Sequence, residues 1–142
     1  MDQHARALAE AIEATLPGWV DRAVRSRLAG AESPDAVIAA AGRDAAAEVG
    51  AAVRRLLAQD VDQQATTPLS LLRGAVRYPT AVLRDAGVPP VERDDVRARL
   101  FPSDVYDLAP ATWSDVDPSL LEPGLAWGAS KAYAHLQRHG GG

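Results

Sequence analysis

The stretch SPDAVIAAAGRDAAAEVGAAVRRLLAQD, residues 33–60, decides the fold. Ser33 is a good N-cap, Pro34 suits the first helical position, and Asp35 complements the positive end of the helix dipole. No further proline occurs before Pro68. Val37, Ile38, Ala41, Ala45, Val49, Ala52, Val53, Leu56 and Leu57 recur at three- and four-residue steps, the period of one helical face. Arg43, Asp44, Glu48, Arg54 and Arg55 occupy the other face. Alanine, Gly42 and Gly50 keep the first half of the apolar stripe small, so a neighbouring helix can approach closely. The stretch therefore reads as the central helix of a bundle, about 40 Å long.

Outward from it, Leu8, Ile12, Leu16, Trp19, Val20, Ala23, Val24 and Leu28 hold one helical phase from about residue 3 to 29. Pro17 and Gly18 interrupt that segment, which is either one kinked helix or two helices with Thr15 near a cap. The unbroken phase favours the kink. Gly30 ends the segment, and so short a loop to the central helix predicts an antiparallel hairpin. Beyond residue 60, Thr67-Pro68 starts a helix with Leu69, Leu72 and Val76 inward. Tyr78-Pro79 is expected to interrupt it, with a short helix restarting at Pro79 and closing at Gly87. A further short helix is expected from Val91 to Phe101, burying Val96, Leu100 and Phe101.

Pro102, Pro110, Pro118 and Pro123 then punctuate a stretch without sustained period that still holds Tyr106, Leu108, Trp113, Val116, Leu120 and Leu121. A polar loop would not carry those side chains. It reads as a proline-rich strap laid across the bundle, with one-turn helices after Ser103 and Pro118. The last helix is expected from Pro123 or Gly124 to Arg138, packing through Leu125, Trp127 or Gly128, Ala132, Tyr133 and Leu136. The expectation is an all-α, single-domain helical bundle over residues 1–139: a long N-terminal helical hairpin, short C-terminal helices and the strap. Residues 140–142, all glycine, are expected to be a flexible tail.

Composition bounds the function. The 142 residues contain no cysteine, which excludes disulfides, thiol catalysis and thiolate zinc sites. The N-terminus has no signal-peptide pattern, and no run approaches the roughly 20 apolar residues of a membrane span. A cytoplasmic protein without membrane contact is expected. The net charge of −4 is too mild to point to a polyanion.

His135 and His139 share one helical face, a metal-ligand spacing, but the glutamate of a catalytic zinc helix is missing and no native metal is expected. Asp104, Asp107, Asp115 and Asp117 suggest an acid–base or magnesium cluster, yet Asp104, Asp115 and Asp117 each stand where a short helix or turn needs a cap. No serine sits in a nucleophile elbow and no glycine-rich phosphate loop is present, so neither a catalytic residue nor a cofactor is assigned. Arg84-Asp85-Ala86-Gly87-Val88 is similar to the turn of a helix-turn-helix. Pro89-Pro90 lengthens that turn, Arg93 falls where an apolar side chain belongs, and Asp94 and Asp95 would face phosphates.

Arg73 and Arg77 lie one turn apart, with Tyr78 adjacent and Arg84 on the next helix. Arginine and tyrosine dominate protein-binding hot spots, so these four residues are the candidate partner-binding surface. The competing reading pairs the same arginines internally with Asp104, Asp107 or Asp115. The function expected is a non-enzymatic protein-interaction or regulatory protein whose partner is another protein, self-association being left open. The alternative is a nucleic-acid-binding protein using the arginine-rich region 84–99.

The runs Thr67 to Arg73, Arg77 to Thr80, Asp104 to Asp107 and Gly124 to Gly128 resemble a small uncharacterised protein family of high-GC Gram-positive bacteria. The resemblance covers the second half of the chain and implies no activity and no functional residue.

Overall fold

The computed structural model describes residues 2–139, and the expected glycine tail lies outside them. The chain is all-α, with no strand among the described residues. Helices α1 (Gln3–Arg27) and α2 (Asp35–Ala58) form the long hairpin. Short helices α3 (Pro68–Gly74), α4 (Arg77–Asp85), α5 (Asp95–Leu100) and α6 (Trp113–Val116) follow, and α7 (Leu121–His139) closes the chain. No helix among the described residues is long and apolar enough to cross a membrane.

α1 opens on Asp2, whose carboxylate accepts the amide hydrogen of Ala5 at 2.8 Å. It runs unbroken through Pro17, which settles the choice between one helix and two. Packing explains why the proline is tolerated. Leu8, Ile12, Leu16, Val20 and Val24 are wholly buried on both sides of it, so a break would expose one half of a continuous apolar face. α2 meets that face with Ile38, Ala45, Val49, Val53 and Leu57. Two glycines set the approach. A Cβ at Gly42 would lie 3.0 Å from Pro17 Cα, and one at Gly50 would lie 2.6 Å from Glu13 Cγ. Across Gly50, Glu13 reaches Arg54, its two oxygens accepting from Nε at 2.5 Å and Nη2 at 3.0 Å.

Several boundaries differ from expectation. Pro34 in extended backbone precedes α2, and Ser33 makes no cap; the first turn instead carries Asp35, which accepts from Arg25 at 2.9 Å. α4 begins at Arg77 and runs through Pro79, with the break lying at Ala75-Val76. Proline in a first turn removes an N–H that has no helical partner, so Tyr78-Pro79 is no obstacle. α5 is only six residues, starting at the Asp94 cap. Val96 and Leu100, expected inward, are 56 % and 65 % exposed, because α5 lies at the rim of the bundle. Leu125, Tyr133 and Leu136 are likewise exposed, and the buried positions of α7 are Gly124 and the expected Trp127.

The strap is present and ordered. Tyr106, Val116 and Leu120 are buried. No helix follows Ser103; the one-turn helix is α6, and Pro118–Leu120 forms a 3₁₀ turn. Half-buried Trp113 lies against α7, where a Cβ at Gly124 would come within 2.6 Å of its ring.

Candidate functional site

A cleft of about 830 Å³ opens between α3–α4 and the segment joining α5 to the strap. Its first wall follows from helical spacing. Arg73, Arg77, Thr80, Ala81 and Arg84 all line it, across the break between α3 and α4. Leu100, Phe101 and Pro102 form the facing edge, with Asp104 and Ala109 below. Three of the four residues proposed from sequence therefore share one cleft. Tyr78 does not line it. Its hydroxyl donates to Glu48 Oε2 at 2.5 Å and accepts from Arg77 Nη2 at 2.8 Å. Burial, and then the hydrogen bond to Glu48, hold the Tyr78 phenol above its usual pKa.

The three arginines differ in what holds them. Arg73 donates to the carbonyls of Pro110 and Ala111 at 3.0 and 3.2 Å, so it grips the strap backbone and none of the strap's aspartates. Arg77 lies 3.4 Å from Glu48 of α2 and 4.9 Å over the Tyr78 ring. Arg84 is exposed, with no ion pair or hydrogen bond among the described residues. Thr80, one turn before Arg84 on α4, is only 4 % exposed and its hydroxyl has no hydrogen-bond partner. A buried unsatisfied hydroxyl costs about 1–3 kcal/mol.

The strap side is built rigidly. Asp104, 2 % exposed, accepts amide hydrogens from Leu108 at 2.8 Å and Ala109 at 2.9 Å. Arg97 lies 3.7 Å from Asp104 and 2.5 Å from Asp107, and stacks 5.5 Å from the Phe101 ring. Arg93 donates to the Phe101 carbonyl at 2.7 Å. Asp107 adopts a left-handed backbone, φ 55°, at the turn that Asp104 closes. The four aspartates do not converge. Asp115 receives the amides of Ala111 and Thr112, both at 3.0 Å. Asp117 caps Ser119, whose hydroxyl and amide, with Arg22 nearby, hold its pKa below the usual carboxylate range.

Among the described residues no three histidines or carboxylates form a metal-binding group. His135 contacts Asp62 at 3.2 Å, and the side chain of His139 lies outside the described part, so the two-histidine reading is not reached. The region of helix-turn-helix likeness has a left-handed Gly87 and no regular element from residue 88 to 94 before the six-residue α5. That geometry supplies no recognition helix.

Sequence reading missed Thr80 and Phe101 as lining of one cleft with the three arginines. The spacing of positions 73, 77, 80 and 84 marks one helical face, but nothing in the sequence places Phe101 opposite it. Comparison with protein families, curated proteins and solved structures found no match.

Proposed function

We propose that the chain is a non-enzymatic interaction protein that receives an acidic segment of a partner protein in this cleft. One observation carries the reading: Arg84 stands unpaired on a wall shared with Arg73 and Arg77, opposite the exposed apolar edge of Leu100. A guanidinium without an internal carboxylate keeps its fork for a partner, and recognition of carboxylates by arginine is stronger and more directional than by lysine. Ser70 and Ser103 also line the cleft, but no histidine does, and Asp104 is held by two amides and Arg97. The lining thus offers a binding surface and no activated nucleophile.

The nucleic-acid alternative draws on residues 84–99, where Arg93 is turned onto the carbonyl of Phe101, Arg97 onto the strap and Arg99 onto the carbonyl of Asp95. The cations left to meet phosphates are too few for that reading to be preferred.

The test places a photo-crosslinking residue at Ala81, on the cleft wall, and exposes cells expressing the protein to light. A crosslinked partner that disappears with Arg84→Glu, at unchanged thermal stability, is the expected result. Crosslinks indifferent to Arg84→Glu would remove the proposal.

A further inference from the structure

We infer that two copies of the chain pair through α7, antiparallel about a twofold axis, the leucines of each helix entering a hollow on the other. This face is independent of the cleft, with which it shares no residue. The observation behind it is that α7 is apolar on both sides. Gly124 and Trp127 are its buried positions. On the opposite side Leu121, Leu125, Ala129, Ala132 and Leu136 recur at three- and four-residue steps, all exposed, with Tyr133 at their edge. The three leucines and the tyrosine leave between 46 % and 66 % of their surface in solvent. Of the residues exposed between positions 121 and 136, Glu122 alone carries a fixed charge. A helix that covers a core on one side has a polar outer face, and one that is apolar all round is covered twice.

The shape of this face says what covers it. Beside the stripe lies an open hollow of about 470 Å³, lined by Val61, Gly128, Lys131, Ala132, His135 and Leu136. Nothing in the fold asks for a glycine there: a Cβ at Gly128 would meet no atom within 4 Å. Glycine weakens a helix interior, so a neighbour from outside accounts for it. The polar rim is engaged within the chain, His135 with Asp62 at 3.2 Å and Lys131 at 5.2 Å over the Trp127 ring. What is left to fill is apolar. Leu121 and Leu125 protrude from the first half of α7, and the hollow lies further along the same helix. A twofold axis between positions 128 and 129 therefore lays each leucine half over the other copy's hollow, and every contact is made twice. It sets Leu125 against the small Ala132 and leaves the small Gly128 and Ala129 where the helices meet. Charge selects the same arrangement. Parallel helices would bring the two Glu122 carboxylates together, whereas antiparallel ones hold them about 20 Å apart, beyond the range of screened repulsion. The paired stretch is only about 22 Å long, so a dimer that dissociates in the micromolar range is expected.

The experiment follows the mass of the full chain by analytical ultracentrifugation from about 1 to 500 μM, where it should rise from monomer to dimer. Leu125→Glu should weaken the association at least about tenfold, since it sends a charge into the apolar hollow. Gly128→Gln fills the hollow without adding charge or apolar surface. It too should weaken the dimer at least about tenfold, while the thermal midpoint of the dilute monomer stays equal or rises. The chain has no cysteine, so single introduced cysteines report the direction of pairing. Ala129→Cys, near the axis, should form a disulfide between copies on mild oxidation, and Glu122→Cys should not. A monomer across the whole concentration range overturns the inference. So does association that Gly128→Gln leaves unchanged, or equal crosslinking at positions 122 and 129. A monomer that instead binds phosphatidylcholine vesicles, or crosslinks a different protein through benzoylphenylalanine at Ala129, would give this face to that occupant and likewise end the proposal.

Discussion

The hairpin and the strap are both ordered, but different forces hold them. Between α1 and α2 the contact is apolar and close, built on Leu8, Ile12, Leu16 and Val20 against Ile38, Val49 and Val53, with Gly42 and Gly50 admitting the neighbour. In the strap the backbone is irregular, so its carbonyls have no helical partners. Arg22, Arg27, Arg73, Arg93 and Arg97 each donate to a carbonyl between residues 101 and 116. Tyr106 works in the other direction: its hydroxyl, buried, donates to the Val88 carbonyl at 2.6 Å. Regular secondary structure satisfies its own backbone and leaves side chains to pack; irregular structure needs side chains to satisfy it. Arginine suits that task because its planar fork can reach two carbonyls at once, as Arg73 does with Pro110 and Ala111.

Substitutions divide the two regions by this rule. The largest effect is expected in the hairpin, where Leu16→Ala leaves a cavity in a fully buried face and should cost about 3–5 kcal/mol in chemical denaturation. A smaller cost would mean the two helices can close over the gap. Asp104→Ala should follow at about 3 kcal/mol, since two amides and Arg97 lose their acceptor. If that loss is below the error of the measurement, the strap does not depend on polar pegs.

Arg73→Ala should cost about 1–2 kcal/mol through the strap carbonyls, and Arg73→Lys should recover less than half, since lysine has no fork. Full recovery by lysine would show that charge alone matters there. Because Arg73 holds the fold, its removal is a poor probe of binding.

Glu13→Gln should cost only about 0.5 kcal/mol, because solvent reaches both Glu13 and Arg54. The hydrogen bond from Arg54 holds the Glu13 carboxyl below its ordinary pKa despite the opposing effect of burial. The stabilisation is therefore complete above about pH 4.3, the usual value for glutamate, and is lost as pH falls through the lower folded-state value. A difference between wild type and Glu13→Gln that persists below that range would assign the effect to packing. Smallest of all, Arg84→Ala should leave stability within about 0.5 kcal/mol of wild type. A larger loss would place Arg84 among the structural arginines and end its role as the partner's contact.

The sequence by itself determined the hairpin. A three- and four-residue apolar period runs through Ile12, Leu16 and Val20 and again through Ile38, Ala45, Val49 and Val53, and period is a local property written along one segment. The capping role of Asp115 and Asp117 was legible for the same reason, since each holds amides within four residues. Exposure on the rim was not: Val96, Leu100, Leu125 and Leu136 read as inward faces, and only the placement of α5 and α7 left them without a neighbour. The destinations of the arginines were decided by tertiary structure alone. Arg73 to Pro110, and Arg27 to Tyr106, are bonds to backbone carbonyls distant in the chain. Every residue has a carbonyl, so such a partner leaves no residue-type signature. The cleft has the same origin. Arg84 and Thr80 share a helical face that spacing reveals, but Leu100 and Phe101, at the end of α5, line the same cleft through tertiary placement that no local period encodes.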